Sequence, residues 1–307
     1  MNVFEGPLRD LEEYNEIKAK LQKNKGVLQL SGCVESQRVH LMQALGEGFH
    51  HKLIVTFNEQ RATEICEDLK LFQQPVVKYP AKDFIFYNAD IKSNLIVKER
   101  MKAIQALLEE KNVTLVTTID GLMDSLIPLA VIEKSVIEIT EAAIIEVKAL
   151  SKKLFSLGYE KTGQVEGPGQ FSVRGGIVDI FPLTEELPFR IELWDDEVDT
   201  IRTFEPEGQR SLEQVKSVRI YPASELIITE EIKAKGLEKI KAEAKACSKA
   251  LRDQMKTEEA YRIIRSVEEL EDELLVLGCA NADSHIKSFY AETVSLLSYL
   301  KDFVVFL

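Results

Sequence analysis

The 307-residue sequence is poor in the residues that build metal sites, disulfide frameworks and membrane spans. Its four cysteines lie far apart, with no CxxC pair and no neighbouring histidine cluster, which argues against zinc and against disulfides. No apolar run is long enough to cross a bilayer, and the N-terminus lacks the apolar core of a signal peptide. We therefore expect a cytoplasmic protein without membrane contact, in which Cys33, Cys66, Cys247 and Cys279 are small buried hydrophobes.

An excess of positive charge is also missing, because 39 Lys and Arg face 51 Asp and Glu and leave a formal net charge of −12. Broad binding to nucleic acid needs a basic face, so this balance argues against it but leaves a local patch open. One helical segment does carry a basic stripe, formed by Lys235, Lys239, Lys241, Lys245, Lys249 and Arg252. The interspersed glutamates favour an ordinary solvated face there.

Candidates for catalysis and metal binding are equally scarce. The pair His50 and His51 has no third ligand in view, which favours a solvated loop end over a metal site. The carboxylates Asp195, Asp196, Glu197 and Asp199 indicate an acidic hairpin, since no apolar pocket is implied that would shift the pKa of one of them. We expect no catalytic residue, no metal and no cofactor.

Strands and helices alternate in the first part of the chain, which predicts a parallel sheet covered on both faces. The amphipathic N-terminal helix runs from about Leu8 to Leu21. The predicted strands are Val27–Leu30, Leu53–Phe57, Val76–Tyr79 and Thr114–Thr118. The predicted helices between them lie at Arg38–Leu45, Gln60–Phe72 and Leu95–Glu110.

The pattern changes after Pro128 and again near Ala223. A strand at Ser135–Thr140 and a helix at Ala142–Leu157 precede a series of short strands, including a hairpin of Phe189–Trp194 and Val198–Phe204. The remainder is mostly helical, and Phe303–Leu307 is a strand pattern without a terminating signal, which predicts a segment of a longer protein. The fold class is thus α/β and α+β, with an α/β domain at 1–133, an α+β domain at 134–222 and a helical domain at 223–307.

A phosphate-binding loop would lie after the first predicted strand, but its chemistry is missing. The motif GxxxxGK[ST] aligns Gly32 with its first glycine, Gln37 with its second, Arg38 with the lysine and Val39 with the hydroxyl residue. Val39 cannot bind Mg²⁺, and Gln37 restricts a backbone that must bend around phosphate. The sequence therefore predicts a degenerate P-loop and no ATP hydrolysis.

Several segments together resemble the N-terminal region of the bacterial transcription-repair coupling factor (Mfd) family. The segments include GPGQFSVRGGIVDIFP and FRIELWDDEVDTIRTFEPEGQRS, of which Gly169–Pro182 and Arg190–Ser211 are the most specific parts, and the resemblance covers essentially the whole chain. That region is similar to the repair helicase UvrB, whose P-loop is intact. The resemblance implies a UvrB-like nucleotide-binding-type domain with a degenerate P-loop, an inserted UvrA-docking α+β domain and a helical UvrB-like continuation.

The resemblance also implies partners. The family's α+β domain docks onto UvrA, the damage-recognition ATPase, so that excision repair reaches a stalled RNA polymerase. RNA polymerase and DNA are bound by regions absent from this chain, where the full-length protein is an ATP-driven DNA translocase. Its C-terminal domain masks the docking surface, which implies an autoinhibitory contact. The chain itself is expected to be a non-enzymatic recruitment module; the alternatives are a DNA-binding module and an active UvrB-like nucleotidase or helicase fragment.

The positions that match the family's docking surface are Arg174, Arg190 and Trp194, with tryptophan where phenylalanine is usual. Strand alternation independently places Arg190, Glu192 and Trp194 on one face, and arginine beside an aromatic residue is the composition of an interface hot spot. Arg174 precedes two glycines that would not shield it. Arg202 and Arg210 are weaker candidates.

An internal role for the same residues remains open. Arg190 could pair with Glu192 or Asp195, and Trp194 could cover an edge of the core. On the docking interpretation, we expect Arg174→Ala or Arg190→Glu to abolish UvrA binding while the fold survives.

Overall fold

The computed structural model describes residues 6–23, 26–72, 75–82, 94–277 and 285–307. These form two compact units: the described parts of Met1–Lys82, Ala106–Asp124 and Leu297–Leu307, and those of Asp83–Gln105 and Ser125–Leu296. The chain is a mixed α/β protein with one parallel sheet and two further sheets, as the fold class anticipated. The division into domains at 133 and 222 stays a prediction.

A four-stranded parallel sheet organises the first unit. Its strands are β1 (His51–Thr56), β2 (Val76–Tyr79), β3 (Val113–Thr118) and β12 (Phe303–Phe306), in the order β12-β1-β3-β2. Every residue of β3 is buried, as expected for a central parallel strand that is covered on both faces. Four predicted strands are thus confirmed to within two residues at either end.

Short helices surround this sheet. They are α1 (Gly6–Arg9), α2 (Glu12–Lys23), α3 (Glu35–Leu45), α4 (Glu59–Lys70) and α6 (Ile119–Leu122). The start of α4 is set by Asn58, whose side-chain oxygen accepts a hydrogen bond from the backbone N–H of Arg61 at 2.7 Å. The predicted amphipathic N-terminal helix is confirmed for α2, where Tyr14 is buried in a cluster with Ala44 and Leu45, but a break before Glu12 separates it from α1 and leaves Leu11 exposed.

The predicted strand at Val27–Leu30 is wrong. These residues have no strand pairing, and Val27 and Leu30 are exposed. A run of four residues has too few backbone hydrogen bonds to hold an extended form without a partner strand, and β1 already pairs on both sides with β3 and β12. The apolar composition of Val27–Leu30 was therefore insufficient to predict a strand.

The second unit contains a six-stranded sheet of order β10-β9-β8-β7-β6-β5 and a two-stranded sheet. The strands of the larger sheet are β5 (Glu160–Lys161), β6 (Gln170–Arg174), β7 (Ile177–Ile180), β8 (Phe189–Trp194), β9 (Glu197–Phe204) and β10 (Ser211–Gln214). The smaller sheet pairs β4 (Ile137–Thr140) with β11 (Ser217–Ile220). The predicted hairpin of β8 and β9 is confirmed, and its turn places Asp195 at φ 60°, in the left-handed region.

The helix predicted from Ala142 begins later. It is α8 (Val147–Ser156), because residues 142–145 use their backbone groups to pair with the β8–β9 hairpin. The N–H of Ala142 donates to the carbonyl of Val198 at 2.9 Å, and that of Ile145 donates to Asp196 at 2.7 Å. Long-range backbone pairing therefore displaces a helix that local sequence favours.

The other helices are α5 (Asn94–Glu109), α7 (Leu129–Ser135), α9 (Glu230–Asp253), α10 (Thr257–Leu277), α11 (Ile286–Phe289) and the 3-10 helix Leu296–Tyr299. Helices α9 and α10 pack against each other. The buried stripe of α9 continues from Ala244 to Ser248, which leaves Cys247 exposed. Of the three described cysteines, which were all predicted to be buried, only Cys66 is buried and Cys33 is half-buried; Cys279 lies outside the described residues.

Candidate functional site: the polar face of the six-stranded sheet

The two faces of the six-stranded sheet differ sharply in chemistry. On one face, Phe171, Val178, Ile180, Ile191 and Ile201 are almost fully buried and form the core. The opposite face, which we call the polar face, carries Arg174, Asp179, Arg190, Glu192 and Trp194. Cross-strand pairing places Ser172, Asp179, Arg190 and Arg202 in one row across β6, β7, β8 and β9.

Asp179 lies at the centre of the polar face and is completely buried. Its Oδ1 accepts a hydrogen bond from Arg190 Nε at 2.8 Å, and its Oδ2 accepts from Arg190 Nη2 at 2.9 Å. The same Oδ2 accepts a third bond from Arg174 Nη2 at 2.6 Å. One buried carboxylate therefore connects the two arginines that the sequence proposed for docking.

Arg190 is much less accessible than expected. Its side chain is 12% exposed, and its guanidinium lies 4.4 Å from the centre of the Phe204 ring. It also donates to Gln209, from Nη1 to the backbone oxygen at 3.3 Å and from Nη2 to Oε1 at 3.0 Å. Hydrogen bonding to Asp179 raises the pKa of Arg190, so the charge is held firmly. The expectation that Arg190 is openly displayed is wrong, because it pairs with Asp179.

Arg174 is the more accessible of the two arginines. It ends β6, and its side chain is 43% exposed. The tight turn that follows uses Gly175 at φ 61°, while a Cβ on Gly176 would lie 2.8 Å from the carbonyl oxygen of Leu193. The glycines keep this corner narrow and leave the outer edge of Arg174 open to solvent.

Trp194 is 83% exposed at the end of β8, so it does not cover the core. It pairs with Glu197 on β9, and Glu197 forms an isolated bridge with Ile144 on its other side. Ile144 is also strongly exposed, so two apolar side chains flank one glutamate. Arg210 is exposed and Arg202 half-buried, so Arg210 is the more accessible of the two weaker candidates.

Sequence reasoning missed three residues of this site. The sequence did carry a signal for Asp179, because a carboxylate inside the apolar strand Ile177–Ile180 needs a hydrogen-bond or ion-pair partner when it is buried. Gln209 lies in a loop at φ 53°, and nothing in the sequence indicated that it would contact Arg190. Ile144 was placed in a helix, which concealed its pairing with the hairpin.

The predicted P-loop positions lie at the start of α3. Gly32 has φ +83° and is exposed, and Gln37 Oε1 accepts a hydrogen bond from the backbone N–H of Val34 at 3.3 Å. Val39 is buried in an apolar cluster that includes Ile54 and Val116, while Arg38 is exposed. The side chain at the hydroxyl position is therefore part of the core. The degenerate P-loop stays a prediction, and the strand expected before it is missing.

The histidine pair divides between two environments. His50 is exposed, as predicted for a loop end, but His51 is the first residue of β1 and is buried. His51 Nδ1 accepts a hydrogen bond from the backbone N–H of Lys301 at 2.9 Å. Burial, with smaller contributions from His50 and Lys301, lowers the pKa of His51.

This environment predicts a loss of stability in mild acid. The unfolded chain binds a proton at His51 near pH 6.5, roughly the ordinary value, whereas the folded chain resists protonation until lower pH. The contribution of His51 to the free energy of unfolding is therefore complete above that pH, and it is lost as the pH falls toward the lower pKa of the folded chain. Urea unfolding followed by circular dichroism at pH 7.5 and about pH 5.5 should show a smaller loss for His51→Asn than for the wild type. Equal losses would mean that His51 does not couple to folding.

Metal sites and membrane-spanning helices find no support among the described residues. No group of three or more His, Cys, Asp or Glu side chains there could hold a metal ion. No helix in the described ranges is both long and apolar enough to cross a membrane. In the basic stripe on α9, Lys241 pairs with Glu271 at 2.6 Å and Lys239 donates to the carbonyl of Lys287, while Lys235, Lys245, Lys249 and Arg252 are exposed, so the DNA-binding alternative stays a prediction.

The chain is similar to a known domain family and to known bacterial proteins. Residues 137–226 match the family described as the UvrB interaction domain. The chain is 34% identical over 278 residues to the transcription-repair-coupling factor of Bacillus subtilis (strain 168), an alignment that covers 89% of the chain and 23% of that relative. It is also 34% identical over 221 residues to the transcription-repair-coupling factor of Staphylococcus aureus (strain USA300), covering 70% of the chain and 19% of the relative.

The chain therefore spans about a fifth of the length of these curated relatives. The matched domain contains the whole polar face, from Arg174 to Gln209. By these matches the chain is an N-terminal region of the transcription-repair coupling factor family that contains a UvrB interaction domain.

Proposed function

We propose that this chain is a recruitment module that binds UvrA and so directs nucleotide excision repair to stalled RNA polymerase. The observation that carries the proposal is the polar face within the UvrB interaction domain, where Arg174 at the end of β6 and Trp194 at the end of β8 are both exposed, with β7 between their strands. Arginine and tryptophan are the residue types most enriched in interface hot spots. The proposal includes a cytoplasmic location, where bacterial chromosomes are transcribed.

The surroundings of Trp194 support a docking role. An exposed indole is an unfavourable solvent contact unless a partner covers it, and Ile144 extends the apolar area on the far side of Glu197. The turn residues Asp195 and Asp196 rim this area with charge. With Glu197 between Trp194 and Ile144, this surface mixes apolar and charged groups, as non-obligate protein–protein interfaces do.

Calorimetric titration of purified UvrA with the chain tests the proposal. We expect Arg174→Ala and Trp194→Ala each to weaken binding by about 2 kcal/mol or more, roughly 30-fold in affinity. Arg262→Ala is the matched control, because Arg262 is an exposed arginine on α10, outside the matched domain, and should bind as the wild type does. Wild-type affinity in the Arg174→Ala/Trp194→Ala double variant would refute docking at this face.

We further propose that the chain does not hydrolyse ATP. The support is the environment of Val39, whose apolar side chain packs in the core where a P-loop needs a hydroxyl for Mg²⁺. Gln37 is committed to a hydrogen bond with the Val34 backbone at the point where a glycine would allow close approach of phosphate. Release of phosphate from Mg²⁺–ATP by the purified chain would contradict this part of the proposal.

The same face is our candidate for autoinhibition in the longer relatives. An exposed arginine and tryptophan that bind UvrA would also be available to a masking domain of the same protein. Contacts with RNA polymerase and with DNA are proposed to belong to other regions of the family's full-length proteins.

A further inference from the structure

The two docking arginines differ in how many hydrogen-bond donors they have free. A guanidinium has five N–H donors, and Arg190 uses Nε, Nη1 and Nη2 in four contacts with Asp179 and Gln209. One flat side of Arg190 is covered by the Phe204 ring. With a side chain only 12% exposed, Arg190 has little left to offer a partner.

Arg174 has the opposite balance. Within the described part of the chain its side chain makes one hydrogen bond, from Nη2 to Asp179 Oδ2, and 43% of that side chain is exposed. The remaining donors of Arg174 can reach solvent or an incoming acceptor. The contact with Asp179 restricts the rotamers of a long side chain, which lowers the entropy lost on binding.

Asp179 is in turn fixed by Arg190. The pair is bidentate, which sets the plane of the carboxylate as well as its position. Gln209 secures Arg190 from the other side, and its own Nε2 donates to the carbonyls of Val165 at 3.2 Å and Pro206 at 2.8 Å. A series of hydrogen bonds therefore connects Gln209 in its loop to Arg190, Arg190 to Asp179, and Asp179 to Arg174.

We infer that Arg190 and Asp179 are positioning residues, which hold Arg174 in the orientation that contacts the partner. This assignment rests on the proposed function and divides its three residues by role: Arg174 and Trp194 touch UvrA, and Arg190 acts through Asp179. The partner group opposite Arg174 is an acceptor oxygen, because a guanidinium has donors only. Charge alone is insufficient at position 190, since a lysine cannot form the bidentate pair.

A double-mutant cycle on UvrA affinity tests this division of roles. Asp179→Asn should weaken binding about tenfold, because an amide has no charge and replaces one acceptor oxygen with an N–H donor, which breaks the bidentate pair with Arg190. In an Arg174→Ala background, the same substitution should change affinity less than about twofold, since nothing remains to be positioned. Equal effects of Asp179→Asn in the two backgrounds would overturn the inference.

Two further variants separate positioning from general damage. Ser172→Ala is the matched control, because Ser172 is a buried cross-strand neighbour of Asp179 whose hydroxyl has no hydrogen-bond partner among the described residues, and its affinity should equal that of the wild type. Arg190→Lys keeps the charge and should still lose about tenfold in affinity. Wild-type binding by Arg190→Lys would overturn the inference even if Asp179→Asn failed to fold. Failure of the unmodified chain to bind UvrA would instead refute the proposed function.

Discussion

Replacing Glu225 with alanine is expected to lower the free energy of unfolding by about 3 to 5 kcal/mol. Glu225 and Arg100 form an ion pair of 2.8 Å between Oε1 and Nε, and Arg100 is completely buried on α5. Without the carboxylate, the guanidinium of Arg100 would remain buried, and the ion pair that offsets much of its desolvation cost would be lost. The cost of that desolvation is what makes the effect large.

Urea unfolding followed by circular dichroism measures this effect. Glu186→Ala is the matched control, because Glu186 also pairs with a basic residue of α5, Lys102, at 2.6 Å, but is highly exposed. That substitution should cost less than about 1 kcal/mol, as for other surface pairs. The double variant Arg100→Met/Glu225→Leu should recover most of the loss, since an apolar pair of similar volume leaves no buried charge. Equal costs for Glu225→Ala and Glu186→Ala would contradict the explanation by burial.

The second large effect concerns Asp179. Asp179→Ala is expected to reduce the free energy of unfolding by about 3 kcal/mol, because it leaves Arg190 in a largely buried position without a carboxylate. Arg174 adds little to this cost, since it is free to turn toward solvent. By the same reasoning, Arg190→Glu would set two carboxylates against each other, so the earlier expectation that this variant keeps its fold is revised.

The measurement compares Asp179→Ala with Asp179→Leu/Arg190→Met in urea unfolding. Removing the arginine together with the carboxylate should restore most of the lost stability, because no unpaired charge then remains in the buried position of Arg190. If the single and double variants unfold at the same urea concentration, the cost arises from the cavity at position 179 and not from the orphaned charge.

Much of the fold could be predicted because its signals are local. The strands β1, β2 and β3 are apolar runs, and α4 begins at a side-chain cap that the sequence displays. The two failures came from pairing at long range. Residues 27–30 have the composition of a strand but no neighbour, and residues 142–145 have the pattern of a helix but pair with the hairpin.

The site divides in the same way. The period of two along β8 correctly placed Trp194 at the surface and Ile191 in the core. It also placed Arg190 on the outer face, which is right, but periodicity carries no information about what covers that face. The covering groups, Asp179 on β7 and Gln209 in a distant loop, become neighbours only after the sheet has formed.

The exposure of Trp194 decides what the intrinsic fluorescence of this chain reports. It is the only tryptophan in the sequence, and it already lies mostly in water in the folded state. Its emission therefore changes little when the core melts, because the indole moves from one aqueous environment to another. We therefore expect a red-shifted tryptophan spectrum from the native chain, and emission excited selectively at this tryptophan reports on the surface and not on the core.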